Sequence, residues 1–165
     1  MSRPTQEDDI AMPQLDRYGS EPPQSARALE PFVHEDEVRH YLDLYARAVT
    51  TGDVKAIAGL WAVPALVLAG YGAQAVTTLA EIEAFFANAK DHYASRGIVD
   101  TRPDIQYVEW LTERIVVTDV RWPLFDANHD ERGTELSTYT LERDDGGDLK
   151  MRVAIMRGEA PAEAH

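Results

Sequence analysis

Between Tyr41 and Ala69 the chain reads YLDLYARAVTTGDVKAIAGLWAVPALVLA, and this stretch limits the fold more than any other. Val38, Tyr41, Leu42, Tyr45 and Val49 recur at helical spacing and make one apolar stripe. Arg39, His40, Asp43 and Arg47 fall off that stripe, where water reaches them. Gly52 suits the left-handed residue that ends a helix, and Asp53 offers an N-cap oxygen to the next one. Val54, Ile57, Ala58 and Trp61 continue at helical spacing. Pro64 cannot continue a helix, so a second helix is predicted to stop just before it. Ala65 to Ala69 is a short unbroken apolar run, which at that length predicts a buried strand.

The rest of the chain separates by pattern. Residues 1–33 hold Pro4, Pro13, Pro22, Pro23 and Pro31 among Gln, Ser, Asp and Glu, with no period, and predict a flexible arm. Ile10, Met12, Leu15 and Tyr18 give that arm enough apolar material to dock on a surface or partner. After a Gly70-Tyr71-Gly72 loop, Thr78 and Glu81 form a capping-box pattern that opens a third helix. Leu79, Ile82, Phe86, Ala89 and Tyr93 share its inner face, Phe85 and His92 flank it, and Gly97 ends it. Strands are predicted at Ile105–Leu111, Ile115–Phe125, Thr134–Arg143 and Leu149–Met156, separated by polar turns. Alternation puts Val116, Thr118, Val120, Trp122, Ser137, Tyr139, Leu141, Met151, Val153 and Ile155 on one face. Asp119, Arg121, Thr138, Thr140, Glu142, Lys150 and Arg152 fall on the other. The layout is α+β: three N-terminal helices packed on a curved, mainly antiparallel sheet with one apolar face. The domain spans 34–157, and 158–165 reads as a tail.

With 165 residues the chain is long enough to bury one core. Its net charge of −13 repels phosphate backbones and anionic lipid, so neither nucleic acid nor membrane is an expected partner. The absence of cysteine excludes disulfides, thiolate catalysis and zinc–thiolate sites. MSRPTQEDDI shows no signal peptide, and a cytoplasmic protein is expected.

Several of these patterns, in this order, resemble the nuclear-transport-factor-two-like superfamily, which includes ketosteroid isomerases and SnoaL-like cyclases. The resembling features are Tyr45 seven residues before Gly52-Asp53, the Ile57-x-x-Leu60-Trp61 helix, the Thr78-x-x-Glu81-Ile82 helix start, and the Ser137–Leu141 strand before an Asp-Gly turn. They span roughly residues 36–157. The resemblance implies a cystatin-like cone whose helices and curved sheet enclose an apolar pocket, often as a dimer. Tyr45 then holds the place of the isomerases' oxyanion donor. Their aspartate base maps onto Ala69 and their protonated aspartate near Ser137, so that isomerase reaction is not expected, and no cavity carboxylate is placed for a cyclase.

Each candidate residue has a functional and a plain reading. Tyr45 reads either as a core tyrosine or as a hydrogen-bond donor at a pocket floor. His92 is the one histidine near an apolar helix face, and either a half-exposed residue or a cavity base. Trp61, Tyr71, Trp122, Ser137 and Tyr139 are candidate substrate-binding residues, with plain core packing the alternative. Asp119 and Arg121 share the polar sheet face and read as a surface ion pair or dimer contact. Asn128–Glu131 is a solvated turn without metal-ligand pairing, and no metal or cofactor is expected. Two functions stay open: a pocket domain for a small, largely apolar molecule, with or without cofactor-independent acid–base turnover, or a non-catalytic interaction module. The expected partners are that small molecule and a second copy, through the outer sheet face.

Overall fold

The structure, a computed structural model, describes the backbone of residues 24–161 and the side chains of residues 35–161. The chain divides into two units at Asp36, and the whole sheet, with the chain from Glu37 onward, belongs to the second. The docking residues expected at Ile10, Met12, Leu15 and Tyr18 lie outside the described residues.

Helix α1 runs Gln24–Thr51, so it starts inside the stretch assigned to the arm. Its stripe is as the spacing predicts: Val38, Tyr41, Leu42, Tyr45 and Val49 are buried, while Arg39, His40, Asp43 and Arg47 are exposed. Gly52 ends it with φ +74°, a conformation that side chains with a Cβ rarely adopt. Asp53 caps α2 (Val54–Ala58) by accepting from Ala56 N at 3.1 Å.

The second helix is shorter than expected. Gly59 comes next, and Trp61 already belongs to strand β1 (Trp61–Ala69), which pairs in parallel with β7 (Leu149–Glu159). Pro64, after a cis peptide bond, sits where the β1–β7 register jumps between Trp61 and Leu66. A residue with no N–H is tolerated there because the ladder is already interrupted. Strand β2 (Gly72–Val76) pairs antiparallel with β1, a strand that the sequence pattern does not predict.

The third expected helix is two: α3 (Leu79–Phe86) and α4 (Ala89–Ser95). The capping box at α3 is complete. Glu81 N donates to Thr78 Oγ1 at 3.2 Å, and Thr78 N donates to Glu81 Oε1 at 3.0 Å. The backbone N–H groups of Thr77 and Thr78 hold the exposed Glu81 carboxyl below its usual range. Thr78→Ala is expected to lower stability by about 1 kcal/mol in urea unfolding, with no change of fold. Ile82 and Phe86 are buried as predicted, but Leu79 is exposed. The β1–β2 hairpin separates α1 and α2 from α3 and α4, so the fold is α+β without an uninterrupted block of three N-terminal helices.

The remaining strands are β3 (Asp100–Thr101), β4 (Asp104–Trp110), β5 (Ile115–Phe125) and β6 (Glu131–Arg143). The curved sheet has the order β2-β1-β7-β6-β5-β3, with β4 also on β5, and only β1–β7 is parallel. β7 continues past the expected domain end at residue 157.

On β5 and β6 the faces are as alternation predicts, with Val116, Thr118, Val120, Trp122, Ser137, Tyr139 and Leu141 buried. On β7 they are not. Leu141 pairs with Met151 and Thr140 with Val153, so Arg152 is an extra residue and the strand carries a bulge. A bulge reverses the parity of every residue beyond it. Ala154, not Val153 or Ile155, is buried opposite Tyr139. The outer face carries ion pairs: Arg152–Glu142 at 2.6 Å, Arg121–Asp104 at 3.1 Å and Arg157–Asp119 at 3.7 Å. Thr138 Oγ1 also donates to Asp119 Oδ1 at 2.6 Å.

A bidentate pair ties α1 to the end of β6. Arg143 Nη2 donates to Glu37 Oε1 at 3.0 Å and its Nη1 to Glu37 Oε2. The same guanidinium lies over the Trp110 ring, 5.1 Å from its centre.

Candidate functional site

The inner face of the sheet and α1 bring several of the singled-out residues together. The Tyr45 ring lies 6.3 Å from Trp122 and 6.1 Å from Tyr139. Phe86 meets Tyr45 edge-on at 6.1 Å and Trp61 at 6.2 Å. Trp122 Nε1 donates to the Tyr139 hydroxyl at 2.9 Å. Tyr45–Phe86 and Trp122–Tyr139 meet edge-on, a geometry that aromatic quadrupoles favour, and the other pairs are tilted. Ser137 is buried on the same face. Tyr41, one turn before Tyr45, spends its hydroxyl on Leu60 O at 2.6 Å.

Burial pushes the Tyr45 hydroxyl well up, and the neighbouring Tyr139 and Tyr41 add to the rise. The Trp61 indole N–H opposes it but makes no bond of ordinary geometry, and Trp61 Nε1 is buried without a partner. Burial likewise pushes Tyr139 up to about 12, against the pull of Ser137 and the Trp122 N–H. Both phenols are therefore neutral near pH 7, acting as hydrogen-bonding groups and not as bases.

Two of the singled-out residues stand apart. Tyr71 is 65% exposed at the β1–β2 turn. His92 is exposed on α4, its ring edge-on to Tyr93. Helix periodicity explains the difference: Tyr93, the next residue of α4, faces inward as its spacing predicts, and the flank position of His92 turns to water.

A cleft of about 190 Å³ opens beside the aromatic cluster. Its walls are Val49 and Thr50 from α1, Lys90, Tyr93 and Ala94 from α4, the Ile98–Thr101 segment, Trp122 and Leu124 from β5, and Glu135 from β6. Of the five expected substrate-binding residues, Trp122 alone reaches these walls. Trp61, Ser137 and Tyr139 are inside the packed core beyond them. The Tyr93 hydroxyl donates to Glu135 Oε1 at 2.8 Å, and Arg96 Nη1 lies 3.9 Å from Glu135 Oε2. Burial, then the Glu135 charge and the bond to it, push the Tyr93 hydroxyl well above its ordinary value. The proton of this pair therefore stays on Tyr93.

Glu135 is a cleft carboxylate that the sequence patterns above do not single out. A signal for it exists. Glu135 continues the inward row Leu141, Tyr139, Ser137 by one more step of two, and it pairs across the sheet with Trp122. Helical spacing marks Tyr93 only as a core residue of the third helix. Only the fold shows that its hydroxyl meets Glu135, which lies 42 positions away in the chain.

The expected turn at Asn128–Glu131 is organised by Asp126. Its Oδ1 accepts from Asn128 N at 2.9 Å and Asp130 N at 3.0 Å, and Arg132 donates to Oδ2 at 2.9 Å. Among the described residues no group of three or more His, Cys, Asp and Glu is arranged to hold a metal ion. No helix among them is long and apolar enough to cross a membrane.

Solved structures with the same fold come from several bacteria. A domain of unknown function with a cystatin-like fold from Nostoc punctiforme superposes with a TM-score of 0.62 at 16% identity, covering 77% of this chain and 78% of its own. A ketosteroid isomerase-like protein from Erwinia carotovora atroseptica matches with a TM-score of 0.57 at 11% identity, over 76% and 96%. Aln2 from a Streptomyces species matches with a TM-score of 0.60 at 20% identity, over 79% and 91%. At these identities the likeness is one of fold. No curated protein sequence matches the chain. The family model described as NTF2-like protein (DUF6841) matches residues 35–159, which cover the sheet and the four described helices but for the first turns of α1. The chain belongs to the NTF2-like protein family DUF6841.

Proposed function

We propose that this chain is a cytoplasmic pocket protein that binds one small, largely apolar molecule in the cleft beside Trp122. The observation that carries the reading is the composition of that wall. Trp122, Leu124, Ile98 and Val49 supply apolar surface, and Glu135 with Tyr93 supplies one fixed polar contact. Small-molecule sites combine these two ingredients, a mainly apolar concavity and a few placed polar groups. The structural likeness to a ketosteroid isomerase-like protein supports the same reading.

Turnover, where it occurs, is of the acid–base kind, and its place is the Glu135–Tyr93 pair. A carboxylate in a partly dry wall is a base within reach of a bound molecule, and a phenol that keeps its proton is a donor. Tyr45 and His92 have no atom on the cleft wall, so their part in chemistry on a molecule held there is indirect.

Native mass spectrometry of the full chain, purified gently from its source or a related host, tests the reading. A retained small molecule is the expected result, and its loss in Trp122→Ala assigns it to the cleft. Protein that carries no adduct, and whose Tm no apolar small molecule raises, overturns the reading.

A second reading has its own observation. The outer sheet face carries a concavity of about 530 Å³ between Arg121, Arg157, Leu136 and Pro161. A second copy seated there makes the chain a dimerisation module. Light scattering that gives a monomer at all concentrations removes it.

A further inference from the structure

We propose that the molecule taken by the cleft is an apolar body bearing a hydrogen-bond donor, a hydroxyl or a protonated amine, which is held by the Glu135 carboxylate. This rests on the small-molecule reading of the cleft and adds the chemical class of the ligand.

The donors and acceptors of the wall are unequally committed. The Tyr93 hydroxyl gives its one proton to Glu135 Oε1 at 2.8 Å, so toward a ligand its oxygen can only accept. Glu135 is an acceptor on both oxygens. Its Oε2 lies 3.9 Å from Arg96 Nη1, too far for a hydrogen bond, and that leaves lone pairs open. Arg96 is also shared, because its Nη2 donates to Glu159 Oε2 at 3.1 Å. One guanidinium thus faces two carboxylates. The wall hydroxyls add no donor: Thr50 donates to Ala46 O at 3.0 Å and Thr101 to Pro123 O at 2.9 Å. The Trp122 N–H is committed to Tyr139.

Two charged side chains remain on the wall. Asp100 is an acceptor, with Arg102 at 3.6 Å in an exposed pair. Lys90 is the one cation among the wall residues, and it is exposed, so water screens its charge. A ligand carboxylate would meet Lys90 as a solvent-screened charge and Glu135 as a like charge. A ligand donor meets the open lone pairs of a carboxylate that the Tyr93 hydroxyl already holds in place.

The test uses three probes of one shape: 2-phenylethylamine, 2-phenylethanol and phenylacetate. Each is titrated into the full chain by calorimetry or ligand-detected NMR at pH 7. The amine and the alcohol are expected to bind, and phenylacetate to bind at least about tenfold more weakly, the scale of one charge-assisted hydrogen bond. Glu135→Gln keeps the size of the side chain, and its thermal melt checks folding. It is expected to weaken the amine about tenfold. Phenylacetate binding as tightly as the amine overturns the donor assignment and leaves the small-molecule reading standing. Amine affinity unchanged in a folded Glu135→Gln protein also overturns it. Silence from all three probes overturns the donor assignment, and with an empty native mass spectrum the small-molecule reading falls too.

Discussion

Trp122→Ala is expected to lower the unfolding free energy by about 4 kcal/mol, a fall in Tm of about 10 °C. Trp122 is 6% exposed and touches both the packed cluster and the cleft. Its removal deletes contacts to Tyr45 and Tyr139 and leaves the buried Tyr139 hydroxyl without the indole donor. The lost transfer energy, the void and the stranded hydroxyl add in the same direction. Trp122→Phe keeps most of the ring and loses the N–H, so it is expected to cost about half as much or less. Urea unfolding of the two variants separates packing from hydrogen bonding. A loss below about 1 kcal/mol for Trp122→Ala contradicts the burial of this ring.

Ala154→Asp is expected to cost about 4 kcal/mol or to abolish folding, while Val153→Asp next to it costs less than half of that. The difference comes from the β7 bulge. Ala154 is fully buried opposite Tyr139, and a carboxylate there has neither water nor a cation. Val153 pairs with Thr140 on the outward side and is half-buried, so a charge there reaches solvent. Equal losses for the two variants, by chemical denaturation, contradict the shifted register. The pair tests the one place where simple alternation and the structure assign opposite faces.

That bulge also shows what local pattern contains and what it leaves out. The α1 stripe, the Gly52 stop, the Asp53 cap and the Thr78–Glu81 box are decided within a few residues, and each is legible in the sequence. So is β5, whose expected limits and faces match the structure. The second helix comes out too long from spacing alone because Trp61 sits at a helical interval after Val54. Its backbone is claimed instead by β7 from the far end of the chain, where Met151 N donates to Leu60 O at 2.8 Å. No local signal carries that competition. The candidate site divides in the same way. The aromatic set is legible as inward-facing, but whether a ring lines a space or fills one depends on how helices and sheet fit together. Glu135 needs only one more step of alternation. Its pairing with Tyr93 needs the whole fold.

The parallel pairing of β1 with β7 reaches into how the chain comes into being. β7 sits between β1 and β6, and of the described strands it is the last to be made. A ribosome that has released everything through Arg143 has produced the β1–β2 hairpin and a separate ribbon of β3 to β6, with no strand to join them. Their apolar faces wait until the final strand emerges, at roughly 5–20 residues per second. Contacts this distant in sequence make folding slow, and the waiting surfaces are open to association in the meantime. Loss of the last strand by a nonsense change would therefore cut the sheet in two, and such a chain is a substrate for chaperones and proteases in place of a weakened protein.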